Sequence, residues 1–352
     1  NALVDLYTNY GGRTQAQEIF SGFLVRDVTC WNTIMTGNSQ YGQDEEALHH
    51  FGSLQHESIL PNMVTYFCIL KSCGNLGEVE KGKMIHARLH KENLFDKEIL
   101  LQNELIHMYA KCGALLRARK VLEEVKIRDI VSWTALISGY AQERLVEEVF
   151  GCLKQMQHEG QWPNEVTIIC ILKACSSTGA LDKGIEMHEY ISRERMWEQN
   201  TQVCNALMDM YSKCNMLTKS QEVFDELLVQ NIVSWTTLLL GYAQRGHGEE
   251  ALQCFERMHC ETAMPNVVTL VCMLKASGSI GAINRGREIH SKIINGQFQE
   301  DVLVGTTSVD MYAKCDIIEK VQTEFNEIQC QNVVSWIALI VGYAHLVTFI
   351  VS

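Results

Sequence analysis

The sequence predicts an all-α fold, an α-solenoid superhelix in which helix-turn-helix repeats stack side by side. The first observation is a long internal period, since one motif recurs around Trp31, Trp133, Trp235 and Trp336, at intervals of 102, 102 and 101 residues. The second is apolar spacing of helical type within each period, without the alternation of a half-buried strand. The third is that only three of the 352 residues are proline. A period held this tightly indicates one continuous array, in which each repeat packs mainly on its neighbours.

Each period divides into three repeats of unequal length, close to 35, 36 and 31 residues. The 35-residue repeats occupy 28–62, 130–164 and 232–266. The second type occupies 63–98, 165–200 and 267–301, and the 31-residue type occupies 99–129, 201–231 and 302–332. Partial repeats at 1–27 and 333–352 complete a single array of about eleven units over residues 1–352.

The repeat 130–164 illustrates why two helices are expected in each unit. Its first apolar stripe follows the helical spacing i, i+3, i+4 and i+7, at Trp133, Leu136, Ile137 and Tyr140. After a polar break, a second stripe runs from Val146 to Met156. Neither helix can bury its apolar face alone, so stacking of neighbouring repeats must supply the core. On that stripe the tryptophans are expected to be core residues, and Gly37, Gly139, Gly241 and Gly342 are expected to permit close helix approach.

Composition excludes several classes of protein. A formal net charge of −12 argues against non-specific nucleic-acid binding, which needs many phosphate contacts. The fourteen cysteines include no C-x-x-C pair, and Cys112, Cys214 and Cys315 recur with the period. We therefore expect small buried apolar residues in a reducing compartment rather than disulfides or metal ligands. No apolar run is long enough to predict a membrane span, and a targeting segment is expected to lie outside this chain, which begins within a repeat.

Polar residues off the packing face form the candidate site. The fifth residue of the 35- and 31-residue repeats is small and polar, and the last residue is Asn or Asp. The fifth positions are Asn1 (in the partial repeat), Asn32, Asn103, Thr134, Asn205, Thr236 and Thr306. The last positions are Asp27, Asn62, Asp129, Asn164, Asn231, Asn266 and Asn332. One interpretation is helix capping, because Asn and Asp satisfy free N–H groups at a helix start. The other is that the two polar groups of each repeat face one groove and read base edges.

Three motifs carry a family resemblance: residues 132–142, residues 172–175 with Gly184 and His188, and residues 205–214. With the three repeat lengths, they resemble the plant pentatricopeptide repeat proteins of the PLS subclass, over the whole chain. Such proteins bind single-stranded RNA, about one base per repeat. The resemblance implies single-stranded RNA as partner, with editing-complex proteins as further partners, in a mitochondrion or chloroplast. It also implies a specificity factor for C-to-U editing that lacks its C-terminal domain.

The resemblance assigns roles to individual residues. The fifth and last residues of a repeat select the base, and the second residue packs against it. Those second residues are Thr29, Leu100, Val131, Gln202, Val233 and Leu303. Lys111, Lys213 and Lys314 would contact phosphates, although solvated helix ends are the alternative. Family pairing rules then give the target 5′-U-Y-N-U-A-N-Y-A-N-A-3′. Phe67, Ile169 and Val271 stand at the fifth position of the second repeat type and cannot hydrogen-bond to a base.

Two other functional classes compete with RNA binding. A protein–protein scaffold of the tetratricopeptide type also uses two-helix repeats, near 34 residues. An RNA-modifying enzyme of this family would carry a zinc-binding cysteine pair, and none is present. We therefore expect no catalytic residue, metal, cofactor or small-molecule substrate. The motif histidines also recur at intervals of 102 residues, as His86, His188 and His290. Successive copies are three helix pairs apart, so they lie roughly 25–30 Å from each other. They cannot share an ion, so packed or hydrogen-bonded histidines are expected.

Overall fold

Helices are the regular elements of the described chain. A computed structural model gives the structure, and it describes residues 4, 6–7, 13–23, 26–196, 200–260, 264–296, 301–328, 331 and 333–351. Within these residues lie twenty bounded helices, α1 to α20, and no strand. The chain divides into two compact units, Asn1–Ala174 and Cys175–Ser352.

The first unit contains α1 to α9 and most of α10. The helices are α1 (Arg13–Ser21), α2 (Val28–Gln40), α3 (Asp44–His56), α4 (Met63–Leu76), α5 (Val79–Lys91), α6 (Ile99–Lys111), α7 (Leu115–Glu124), α8 (Ile130–Gln142), α9 (Val146–His158) and α10 (Glu165–Thr178). The first helices of successive predicted repeats, α2, α4, α6 and α8, pack on one another in order, and each also packs on the second helix of its own repeat.

The second unit follows the same plan with the remaining helices. These are α11 (Leu181–Arg193), α12 (Thr201–Lys213), α13 (Leu217–Asp225), α14 (Ile232–Gln244), α15 (Gly248–Cys260), α16 (Val267–Ser279), α17 (Ile283–Asn295), α18 (Val302–Lys314), α19 (Ile318–Glu327) and α20 (Val333–Val351). Here the first helices pack on one another in order, as α12, α14, α16, α18 and α20. The other helices pack against them. The predicted all-α solenoid of stacked helix pairs is confirmed. Among the described residues, none of the helices combines the length and apolar character needed to cross a bilayer.

Side-chain caps start most of the first helices of the predicted repeats, although Glu98 makes no capping bond at the start of α6. The Asp27 carboxylate accepts the backbone N–H of Cys30 at 2.8 Å, and this bond lowers the pKa of the Asp27 carboxyl. Asn266 accepts the N–H of Thr269 at 2.9 Å. Equivalent bonds fix the starts of α4, α8, α10 and α14. The capping interpretation of the last residues is therefore confirmed wherever the cap lies in the described chain.

Tryptophan packing joins the predicted repeats within each unit. Trp31, Trp133 and Trp235 are buried, as the apolar stripe predicts. At Trp31 and Trp235 a phenylalanine from the preceding second helix meets the indole edge-on, and the ring centroids of Phe224 and Trp235 lie 4.5 Å apart. The prediction of a core position is wrong for Trp336, which is 49% exposed. Its ring packs on Phe325, but no later helix in the described chain covers it.

The motif histidines and cysteines occupy the expected surroundings with one correction. His86, His188 and His290 each place Nδ1 within hydrogen-bond distance of a tyrosine hydroxyl, at 3.2, 2.7 and 3.0 Å, as predicted for packed histidines. Every cysteine in the described chain is a free thiol. Cys112, Cys214 and Cys315 are only half-buried, however, because each is the residue that follows the end of its helix.

Glycines allow the first helices to approach closely. A Cβ added at Gly139 in α8 would lie 2.7 Å from the Cβ of Ala110 in α6, well inside van der Waals contact. Added Cβ atoms at Gly241 and Gly342 would also overlap neighbouring side chains. The prediction of close approach is confirmed at these three positions.

The Gly139→Ala substitution should destabilise the protein by about 1–3 kcal/mol, because overpacking forces the helices apart. Gly151 lies in α9 with open space around its Cβ position, so Gly151→Ala should instead stabilise by roughly 0.5–1 kcal/mol. Urea unfolding followed by circular dichroism measures both. A neutral or stabilising Gly139→Ala would contradict the close-approach assignment.

The Asn266→Ala substitution should lower stability by about 1 kcal/mol, since it removes the cap of α16. Asn266→Asp should stay within about 0.5 kcal/mol of the parent, because Asp and Asn are comparable caps. Thermal unfolding compares the two with Asn295→Ala, an exposed control at the end of α17. Equal losses in the Ala and Asp variants would exclude capping as the reason.

Candidate nucleic-acid interface

The fifth and last residues of the predicted repeat 28–62 meet in one hydrogen-bonded group. The Nδ2 of Asn32, on α2, donates to the Oδ1 of Asn62 at 2.9 Å, although thirty positions separate the two residues. Thr65, the third residue of α4, donates its hydroxyl to the Oδ1 of Asn32 at 2.7 Å. Asn32 and Thr65 are buried, whereas Asn62 is exposed. The buried Asn32 and Thr65 therefore hold the exposed side chain of Asn62 in a fixed orientation toward solvent.

The predicted repeat 99–129 makes a direct pair with a carboxylate. The Nδ2 of Asn103, on α6, lies 3.2 and 3.0 Å from the two carboxylate oxygens of Asp129. Oδ1 of Asp129 also accepts the N–H of Ser132 at the start of α8, at 2.8 Å. Because a carboxylate has about four acceptor positions, Asp129 keeps acceptor capacity beyond these bonds.

Two further pairs are joined through a buried threonine. The hydroxyls of Thr134 and Thr167 lie 2.7 Å apart, and the hydroxyl of Thr167 lies 2.8 Å from the Oδ1 of Asn164. Thr236, Thr269 and Asn266 repeat this arrangement, with distances of 3.1 and 2.8 Å. The structure thus brings the predicted residues together in four repeats, at Asn32/Asn62, Asn103/Asp129, Thr134/Asn164 and Thr236/Asn266.

Three predicted pairs are not brought together in the described chain. Asn205 and Asn231 share no hydrogen bond, and the buried Oδ1 of Asn205 has no partner among the described residues. Asn1 and Asn332 lie outside the described residues. Their partners have ordinary local bonds, since Asp27 caps α2 and the hydroxyl of Thr306 donates to the carbonyl of Val302 at 2.7 Å.

The bridging threonines Thr65, Thr167 and Thr269 are positions that the sequence reasoning missed. They stand 102 residues apart, each three residues after an Asn that ends a repeat, in an N-x-x-T pattern. This pattern is similar to the helix-start signature of a polar cap followed three residues later by a side chain that bonds back. The full reciprocal bonding is present at Asn62 with Thr65 and at Asn266 with Thr269. A search for that signature would have identified them.

Capping determines which atoms of each last residue remain available. In Asn62, Asn164 and Asn266 the Oδ1 atom accepts the bonds that start the helix, so the Nδ2 group is left as a donor. Asp129 uses Oδ1 for the same purpose, and its Oδ2, which accepts the Nδ2 of Asn103 at 3.0 Å, keeps a further acceptor position. Asn therefore offers donors at the surface, whereas Asp offers an acceptor.

Exposed apolar side chains stand at the second position of the repeats. Leu100, Val131, Val233 and Leu303 are 57, 54, 55 and 53% exposed, and Thr29 and Gln202 are exposed polar residues. The sequence reasoning left out three similar residues of the second repeat type, Val64, Val166 and Val268, which are also exposed. Each lies three residues before a fifth position, on the same helix face. Packing does not account for their apolar character.

The three predicted phosphate lysines lie at the ends of first helices, about two turns beyond the fifth residues. All three are exposed. Lys213 and Lys314 pair with Asp209 and Asp310 on their own helices, at 2.8 and 2.7 Å, and Lys111 donates to the amide oxygen of Asn75. Exposed pairs of this kind contribute about 0–1 kcal/mol, so they leave the ammonium groups available to an anion.

Models of one repeat family match separate stretches of the chain. The model described as the PPR repeat family matches residues 128–177 and 230–278. The pentatricopeptide repeat domain matches 24–76, and the PPR repeat matches 103–130 and 203–232. Together these matches cover more than half of the sequence.

Curated relatives extend the similarity to nearly the whole chain. A chloroplastic pentatricopeptide repeat-containing protein of Arabidopsis thaliana is 30% identical over 347 residues, 98% of this chain and 56% of the relative. A mitochondrial one from the same plant is 32% identical over 343 residues, 97% of this chain and 49% of the relative. The chain thus spans about half the length of these relatives.

Solved structures agree on the fold. The crystal structure of the pentatricopeptide repeat protein PPR10 from maize has a TM-score of 0.65 at 18% identity, covering 99% of this chain and 56% of that one. PPR10 in complex with an 18-nt psaJ RNA element has a TM-score of 0.51, also at 18% identity, covering 96% of this chain and 50% of that one. From the repeat models and the plant relatives, the chain belongs to the pentatricopeptide repeat family.

Proposed function

We propose that this chain binds single-stranded RNA sequence-specifically, with about one base per repeat. The observation that carries the proposal is the joining of the fifth and last side chains in four repeats, in hydrogen-bonded groups whose free donor or acceptor lies at the surface. A buried partner fixes the direction of the exposed group. Such fixed polar groups suit the Watson–Crick edges of unstacked bases, where single-stranded RNA is read.

The chemistry of the last residue supports a preference within each base class. Asn leaves an N–H donor free, which matches the unprotonated ring nitrogen of adenine or cytosine. Asp leaves an oxygen acceptor free, which matches the ring N–H of guanine or uracil. The proposed assignments are U for Asp129, A for Asn164 and Asn266, and a pyrimidine for Asn62. The rule accounts for U at Asp129 and for A at Asn164 and Asn266, and at Asn62 it favours C over U. The first unit would read U-Y-N-U-A, and the repeats of the second unit that end in Asn or Asp would include Y-A and a final A.

The second-position side chains would supply the flat contact that a base needs. Val131 and Val233 expose more than half of their surface beside the polar pairs. Burial of exposed apolar area against a base face is favourable at about 25 cal/mol per Å². The exposed Val64, Val166 and Val268 extend this contact to the second repeat type, whose fifth residues Phe67, Ile169 and Val271 would hold a base without selecting it.

The acidic net charge is compatible with this proposal, because base selection would depend on the polar pairs and phosphate contact on a few lysines. Neither depends on the net charge of the whole chain. Lys111, Lys213 and Lys314 would exchange their intramolecular partners for phosphate oxygens. Phosphate contacts position the strand, and the polar pairs supply selection. With few lysines engaged, affinity should depend less on salt than it does for basic nucleic-acid binders.

The subclass of the protein, its role in editing and its location belong to the same proposal. The unequal repeat lengths favour the PLS subclass, and a role as the specificity factor of C-to-U editing follows from that resemblance, with editing-complex proteins as further partners. The chloroplastic and mitochondrial names of the relatives support an organellar location. The RNA element bound by the maize protein supports an RNA ligand for this chain. Recognition without catalysis is the activity proposed for these residues.

A gel-shift assay tests RNA recognition directly. The chain should bind a ten-nucleotide RNA of sequence 5′-U-Y-N-U-A-N-Y-A-N-A-3′ more tightly than a scrambled RNA, and should not bind an RNA duplex. All three are compared at one ionic strength, because affinity for nucleic acid varies with salt. Equal and weak binding to all three would favour the tetratricopeptide-type protein scaffold instead.

The Asn266→Asp substitution beside Thr236 should change the preferred eighth base from A to G by about 10-fold, because the free donor becomes an acceptor. Competition binding with four RNAs that differ only at that base measures the change. As a crossed control, Asn164→Asp should move preference at the fifth base and leave the eighth unaltered. An eighth-base preference that Asn266→Asp leaves unchanged would show that this pair does not select a base.

A further inference from the structure

A cluster of two imidazoles and a carboxylate lies on the second helices of the first unit, away from the polar pairs. His86 and His90 are four residues apart on α5, and their Nε2 atoms lie 3.0 Å from each other. Glu124, at the end of α7, places Oε2 3.9 Å from the Nε2 of His90. The three ligand atoms all lie within 4.8 Å of one another. Among the described residues, no other group of three His, Cys, Asp or Glu side chains places its ligand atoms this close together.

Neighbouring aromatic residues hold the two rings in place. Nδ1 of His86 lies 3.2 Å from the hydroxyl of Tyr109, a buried residue of α6. The ring of His90 packs on the buried Phe95, with centroids 4.4 Å apart. A partner on the second ring nitrogen is the arrangement that fixes the tautomer and orientation of metal-binding histidines. Nε2 of His86 is thereby left to face His90 and Glu124.

We propose that His86, His90 and Glu124 form a binding site for a divalent transition metal of the Zn²⁺ class. Zn²⁺ accepts imidazole nitrogen and carboxylate oxygen at about 2.0–2.2 Å, which places tetrahedral ligands roughly 3.3 Å apart. The observed separations bracket that value, so small side-chain rotations close the site. Two histidines at i and i+4 on one helix face are a suitable chelating pair. The fourth position stays open to water.

The rest of the chain indicates that this cluster is not a requirement of the repeat. His188 and His290 keep the tyrosine contact of His86, but the residues four positions later are Ser192 and Ile294. Only the first copy therefore supplies a second imidazole. A bound ion would connect α5 to α7, the second helices of two adjacent predicted repeats, and would stiffen the unit there. The site is independent of the proposed RNA function.

Isothermal titration of the metal-free 352-residue chain with ZnCl₂ tests the site. The parent should bind one more Zn²⁺ than His90→Ser, a variant that reproduces the Ser192 copy, and Glu124→Gln should weaken that binding by at least about 10-fold. His107→Ser removes an exposed histidine of α6 outside the cluster and should bind as the parent does. Co²⁺ as a spectroscopic probe should show no thiolate charge-transfer band at this site, which separates it from the cysteines.

Thermal unfolding with and without ZnCl₂ gives a second readout. The midpoint should rise with Zn²⁺ in the parent and in His107→Ser, since a ligand of the native state stabilises it, and should not respond in His90→Ser. Unchanged Zn²⁺ affinity and stoichiometry in His90→Ser would overturn the assignment. A loss in His107→Ser as large as that in His90→Ser would overturn it too.

Discussion

The burial of each first helix between its neighbours is the constraint on which the other features depend. No single helix pair has a second apolar layer of its own, so order in one repeat requires order in the next. Trp31, Trp133 and Trp235 fill the space between successive layers, and Gly139 and Gly241 let the helices come close enough to exclude water. Within each compact unit, the spacing of the layers is therefore set by packing and not by the residues at the surface.

That fixed spacing brings residues about thirty positions apart to hydrogen-bond distance. Asn62 begins α4 and at the same time contacts Asn32 on α2, because α4 is stacked on α2. Thr167 and Thr269 transmit the same contact where the fifth residue is too short to reach. The four polar pairs that form are thus a by-product of stacking.

The features that repeat along the chain could be predicted from the sequence. The features that depend on which residues are adjacent in space could not. The tryptophan period, the helical stripes and the Asn or Asp before most first helices predicted the architecture and the caps. The sequence did not reveal that Thr65 bridges two asparagines, because that role requires knowing that α2 and α4 are adjacent. Trp336 is exposed, and the Oδ1 of Asn205 has no partner among the described residues, although the motifs of both are like those of their copies. The difference lies in what surrounds them. The pair of His86 and His90 occurs in one copy only, because Ser192 and Ile294 replace His90 in the others, so the 102-residue period does not mark it.

The capping role of the last residue, together with its proposed contact to a base, has an evolutionary consequence. Asn and Asp are nearly equivalent at a helix start, so exchanging one for the other leaves the architecture intact while exchanging a hydrogen-bond donor for an acceptor. Many surface substitutions in proteins lower stability, but the exchange of Asn and Asp at this position changes the free energy of folding very little. Under the proposed function, a lineage of such arrays would drift from one ligand preference to another through single codon changes, without compensating mutations in the core.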